Sequence, residues 1–263
     1  LELLIIYKER KVNKMRYFIK FSYDGSCFNG FQRQNKLKTV QGVMEEALTS
    51  LNDGKRVNIC ASGRTDKGVH AKGQTAHFDL DVSVKLYNLK KYLNKCFNGE
   101  IYVKDVVIVN DDFHARYDVL SKTYCYYINM GEYDPCMRNY ILQYNKNLNI
   151  VLMNSVIPIF LGEHDFRSFC FDEKSQDNCV RTIYDVKINV NNCLMKIEFT
   201  GNGFLRKMVR NLVSVLILVG EGKLNYSDVL CILECQKKSY NVKCVSSCGL
   251  YLDNVVYKGD VNE

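Results

Sequence analysis

The sequence predicts an α+β protein built from two similar halves whose sheets join. Each half alternates short strand patterns with two or three helical ones. A polar, irregular stretch at 133–147 separates the two rhythms and reads as a linker. The 263 residues suffice for one large domain or two small ones, and 47% hydrophobic with 25% charged residues is a globular composition.

The elements follow in order. Arg16 to Tyr23 reads as a strand closed by the turn Asp24-Gly25. Thr39 to Leu51 is helical, because Val40, Val43, Met44, Ala47, Leu48 and Leu51 recur at one-face spacing before Asn52-Asp53-Gly54 stops them. Val57 to Ala61 and Gln74 to Leu80 read as strands around a loop at 62–73. Leu86 to Phe97 is a helix ended by Asn98-Gly99, and Ile101 to Val109 and Thr123 to Asn129 alternate as strands. Beyond the linker, Ile150 to Leu161 is a helical pattern weakened at Pro158. Thr182 to Val190 and Leu194 to Thr200 form a hairpin across Asn191-Asn192. Phe204 to Val219 and Tyr226 to Cys235 are helices, and Leu250 to Tyr257 is a last strand. The resulting organisation is an N-terminal extension at 1–14, one half at 15–132, the linker, and a second half at 148–263.

Several classes drop out. No apolar run approaches the roughly 18 residues that cross a bilayer. Leu1 to Ile6 lacks a basic flank and a small-residue cleavage site, so it is a poor signal peptide. The twelve cysteines are dispersed and lie mostly in apolar runs, which suits reduced thiols in a cytoplasmic protein. Gly63 to Gly68 has the glycine spacing of a phosphate loop, but Val69-His70 replaces the required Lys-Ser/Thr. Gly201-Asn202-Gly203 begins a dinucleotide fingerprint that fails at Arg206. Cys231, Cys235, Cys244 and Cys248 are spaced unlike zinc knuckles, and the first pair fits helix packing as well as a metal. His70 and His77 have no nearby Cys or carboxylate at ligand spacing and read as structural or RNA-facing.

Two clusters remain. Ala61 to Gln74 holds three glycines and alternating charge, a loop of specific backbone shape. In it Asp66 lies near Arg64 and Lys67, cations that favour an ionised carboxylate and so a nucleophile. The same spacing also fits an Asx-turn closing a bend before Gly68. The second cluster is Gly201 to Asn211, where Arg206 and Arg210 fall at i, i+4 on the expected helix and suit either phosphates or a solvated face. Tyr124, Tyr126 and Tyr127 share a strand and suit either base stacking or a core. The net charge of +7 fits a polyanionic partner.

Taken in order, these motifs resemble the tRNA pseudouridine synthase A family over nearly the whole chain. The resemblance rests on Tyr23-Asp24-Gly25, Gly30 to Gln34, Ser62 to Ala71 leading into Gln74 to Phe78, and Asp112 to Arg116. It continues through Ser121 to Tyr124, Gly162 to Phe166, Phe204 to Asn211 and Gly249 to Leu252. It implies isomerisation of uridine to pseudouridine at positions 38–40 in the anticodon stem-loop of tRNA, without cofactor or metal. It further implies two ferredoxin- or RRM-like halves with joined sheets, helices on one side, a cleft between halves, and a homodimer that also meets the tRNA elbow. Carried over, Asp66 matches the essential aspartate, Arg64 the motif arginine that holds RNA, and Tyr124 the active-site tyrosine. Arg210 matches the arginine that pairs with the aspartate, and Leu250 an apolar residue lining the base pocket. Arg116, Lys122, Arg206 and Lys207 are the expected phosphate contacts. The chain departs from the family at Phe31, where tryptophan is frequent, and at Arg206-Lys207, which makes the site more cationic.

Overall fold

The computed structural model describes residues 11–170, 178–234 and 243–259. The chain divides into two compact units, one formed by residues 1–120 with 252–263 and the other by residues 121–251.

The first unit is organised around strand β1 (Lys11–Tyr23), which lies between β3 (His70–Val82) and β4 (Ile101–Val109) and is antiparallel to both. Tyr17, Phe18, Ile19 and Phe21 of β1 are all buried, the near-continuous apolar run expected of a strand covered on both faces. Each apolar side chain so removed from water contributes about 1.5–3 kcal/mol. The short β2 (Cys60–Ala61) pairs with β3. Residues 252–257 of the last strand, β10 (Leu250–Tyr257), lie on the other side of β3.

Helix α1 (Val40–Leu51) starts at Thr39, whose hydroxyl accepts the Gly42 N–H, and buries Val40, Met44, Ala47, Leu48 and Leu51. It stops where Asp53 and Gly54 turn to positive φ. Glu45 also lies on its buried face. There its Oε1 accepts the Ile59 N–H at 3.1 Å and the Gln41 amide at 2.8 Å, while Oε2 makes no hydrogen bond among the described residues and is balanced by the Arg33 guanidinium 2.5 Å away. Helix α2 (Leu86–Cys96) buries Leu89 and Leu93, and Asn98 and Gly99 at positive φ end its last turn.

In the second unit β5 (Val119–Asn129), β9 (Leu194–Gly201), β8 (Val180–Asn191) and β7 (Gly162–Asp165) are neighbours in that order, each pair antiparallel. Asn192 takes φ 53° in the β8–β9 turn, the left-handed conformation Asn tolerates best after Gly. Helix α3 (Ile150–Val156) is capped by Asn149 and passes into a 3₁₀ turn (Ile157–Phe160) that contains Pro158. Helix α4 (Met208–Gly220) is apolar on nearly every side and correspondingly buried, and α5 (Tyr226–Glu234) follows.

The structure corrects several expectations. β1 begins at Lys11, five residues before the expected start at Arg16. The expected Val57–Ala61 strand shrinks to Cys60–Ala61, and β3 begins at His70, inside the expected 62–73 loop. The expected linker carries a strand, β6 (Leu142–Gln143), parallel to β5, and lies within the second unit. The helix expected from Phe204 begins four residues later, because Lys207 adopts φ 63° and breaks the helical path. Among the described residues no helix is long and apolar enough to cross a membrane.

Candidate active site

The segment between β2 and β3 carries Asp66, and the first unit fixes its backbone at several points. Gln74, fully buried on β3, accepts the Ser62 hydroxyl at 2.7 Å and donates its amide to the Gly63 carbonyl at 3.0 Å. The Tyr23 hydroxyl meets Thr65 Oγ1 at 2.8 Å, and the Phe31 N–H donates to the Thr65 carbonyl at 3.0 Å. The Val69 N–H donates to the Asp66 carbonyl at 3.2 Å, a main-chain bond that helps close the bend. Gly30 has φ 91°, and a Cβ there would come within 3.1 Å of the Thr65 carbonyl and 3.2 Å of the Lys67 nitrogen. Asp66 is half-buried on this frame, while Arg64, Lys67 and Arg116 are exposed. A rigid loop that lifts one carboxylate among cations suits nucleophilic chemistry on an anionic polymer.

Both buried histidines have structural partners. His70 Nδ1 accepts the Gly25 N–H at 3.0 Å beside Asp24, and His77 Nδ1 accepts the Ala115 N–H at 3.0 Å. Sequence spacing offers His77 no cysteine ligand, but β2–β3 pairing places Cys60 opposite it, and His114 completes a cluster with ligand atoms within 4.8 Å of one another. The donor set does not suit a metal. His114 Nδ1 also accepts main-chain N–H groups, from Arg116 and Tyr117, so each neutral ring carries its proton on Nε2, the atom a metal would need bare. Of the four other cysteines weighed as ligands, Cys235 lies outside the described residues.

The second unit assembles the remaining candidates around β5. Tyr124 is buried opposite Phe199 of β9, and its ring meets Phe204 edge-on at 5.2 Å between centroids. Phe204 stands in the turn between β9 and α4, a partner that strand periodicity did not reveal. Lys122 is half-buried two residues before Tyr124 and pairs with Gly201. Arg206 and Arg210 do not share a helix face, because Arg206 precedes α4 and is exposed while Arg210 lies in its first turn.

Arg210 Nε donates to the Val245 carbonyl at 2.8 Å, and the Val245 N–H donates to Ser214 Oγ at 3.0 Å. The Tyr126 hydroxyl donates to the Ser246 carbonyl at 2.7 Å. Burial pushes that phenol strongly up, and the Arg210 charge partly opposes the shift. The 245–249 segment, tied to α4 and β5, thus delivers Leu250 to the start of β10, where it is buried. None of those tying contacts is a spacing motif, so the sequence carried no signal for them. The structure therefore groups Asp66, Arg64 and Arg116 in the first unit, and Lys122, Tyr124, Arg206, Lys207, Arg210 and Leu250 in the second.

Residues 20–118 and 156–258 match the family model described as tRNA pseudouridine synthase. The chain belongs to that family. It is 41% identical over 248 residues to the tRNA pseudouridine synthase A of Streptococcus agalactiae serotype Ia, covering 93% of this chain and 96% of the relative. The tRNA pseudouridine synthase A of Mycoplasma genitalium is 39% identical over 244 residues, 92% of this chain and 99% of its own. The tRNA pseudouridine synthase A 1 of Bacillus cereus is 40% identical over 237 residues, 90% and 96% respectively. Among solved structures, a chain of a Cbf5-Nop10-Gar1 complex overlaps 77% of this chain and 45% of its own, at TM-score 0.32 and 10% identity, too weak to carry an argument.

Proposed function

We propose that this chain is an isomerase that converts uridine to pseudouridine in tRNA, with Asp66 as its nucleophile. The observation that carries the reading is the braced loop holding Asp66 between Arg64 and Lys67, in a chain of this family. The reaction breaks the N1–C1′ bond, turns the uracil and rejoins it through C5. Atoms and electrons are conserved, so the chemistry calls for no redox equivalent or phosphate donor.

The target lies in the anticodon stem-loop, at positions 38–40. A stem uridine must leave the stack before any carboxylate reaches it, at a cost of a few kcal/mol that contacts to base and phosphates offset. Tyr124 stacks on the flipped uracil and takes the C5 proton, and Leu250 lines its pocket. A phenol with an ordinary pKa near 10 needs help from its surroundings in that second role. Arg210 is the arginine that pairs with the nucleophile, while Arg64 holds backbone near the target. Arg116, Lys122, Arg206 and Lys207 contact other phosphates. In the same reading, the halves are ferredoxin-like with joined sheets and a cleft between them, and a cytoplasmic homodimer carries each tRNA from anticodon stem to elbow.

The test is pseudouridine mapping of unmodified tRNA incubated with wild type and with Asp66→Ala. Wild type is expected to modify positions 38–40, and Asp66→Ala to yield no product while binding tRNA within about tenfold of wild type. Turnover by Asp66→Ala would remove the nucleophile assignment. Binding without modification by both proteins would favour an RNA-binding protein that keeps the fold alone.

A further inference from the structure

Tyr23 is 5% exposed at the end of β1, too buried to touch a substrate. Its ring is held by Phe21, Phe28 and Phe31, with centroids 6.1 to 6.5 Å away. Those contacts account for the ring and leave the oxygen unexplained. That oxygen meets Thr65 Oγ1, one residue before Asp66. Burial, partly offset by hydrogen bonds from Thr65 and Gln74, pushes the phenol up to about 12, so it keeps its proton throughout the neutral range.

The same short segment is anchored by main chain as well. Phe31, which packs on the Tyr23 ring, donates its N–H to the Thr65 carbonyl, and Gly30 seats its Cα where a side chain would crowd residues 65–67. Thr65 is therefore gripped at both its carbonyl and its hydroxyl, and Asp66 follows with no intervening freedom. Of these grips, the hydroxyl is the one that side-chain chemistry alone can remove.

We propose that Tyr23 is a positioning residue for the reaction: through its hydrogen bond to Thr65 it sets the reach and direction of the Asp66 carboxylate. The inference rests on Asp66 being the nucleophile. A nucleophile displaced by about 1 Å loses on the order of a hundredfold in rate while substrate binding, spread over many contacts, is kept.

The experiment measures single-turnover pseudouridine formation and tRNA affinity for Tyr23→Phe, Thr65→Val, the double variant, Thr65→Ser and Asp66→Ala. Tyr23→Phe and Thr65→Val are each expected to slow single-turnover product formation about ten- to a hundredfold with tRNA affinity within threefold of wild type. The double variant is expected to be no slower than either single one, since both remove the same bond. Thr65→Ser keeps the hydroxyl and is expected to recover most of the rate. Thr65 is half-buried, so Thr65→Val carries the test if Tyr23→Phe does not fold. Full turnover by Thr65→Val, additive losses in the double variant, or equal losses for Thr65→Ser and Thr65→Val would overturn the proposal. Activity in Asp66→Ala would instead remove the nucleophile reading on which it stands.

Discussion

His77 shows how one buried side chain ties stability to pH. Its Nδ1 accepts a main-chain N–H, and burial first, then the Arg16 charge and His114, lower its pKa to about 4. In the unfolded chain the same ring titrates near 6.5. Between those values the unfolded state binds the extra proton, so this histidine's contribution is intact above about pH 6.5 and is lost as pH falls toward 4. Thermal melts across that window are expected to show a shallower acid loss in His77→Asn, whose side-chain oxygen can still accept the Ala115 N–H without titrating. Tyr124 poses a separate question, because packing on Phe204 and proton transfer need different parts of the ring. Tyr124→Phe keeps the first and removes the second, so turnover is expected to fall with tRNA affinity unchanged. Full turnover would leave Tyr124 with stacking alone.

At the scale of elements, the entry to α4 is the most informative departure. A residue other than glycine at φ 63° costs about 1–2 kcal/mol, yet Lys207 holds that position and keeps Arg206 out of the helix. Lys207→Gly is expected to raise the melting temperature by a few degrees and to weaken tRNA binding, measured on the same preparation. Helices with a single apolar face were legible: Val40, Met44, Leu48 and Leu51 place α1 to within a residue, and Asn98-Gly99 marks the end of α2. The start of α4 was not, because its apolar run extends back through Phe204 and Leu205, and hydrophobicity alone cannot report a left-handed lysine. At the site the pattern was similar. The Ser62–Ala71 motif pointed to Asp66, but the grip of Tyr23 and Gln74 on its loop, the Phe204 contact and the Cys60–His77–His114 cluster arise from strand register and tertiary packing.

For the molecule as a whole, the charge of +7 sets how binding responds to salt. Each phosphate neutralised releases counterions, so a tRNA complex with roughly three to five such contacts should weaken between about twentyfold and about five hundredfold from 50 to 200 mM salt. A filter-binding series checks this. Arg116→Ala is expected to flatten the logarithmic slope by about one unit, and an unchanged slope would remove that contact.

The strand next to β3 comes from the far end of the sequence, since residues 252–257 of β10 complete the unit that begins at the N-terminus. Tyr257 there donates its hydroxyl to the Ala115 carbonyl and shares a hydrogen bond with Thr75, the residue after Gln74. During synthesis on a ribosome, the unit carrying Asp66 is therefore unfinished until residues 252–257 have been added. A premature stop just before Leu252 would spare every candidate catalytic and RNA-contacting side chain and still leave the sheet behind the nucleophile open along one side, so the nascent chain completes the support of its reactive loop only once β10 has been made.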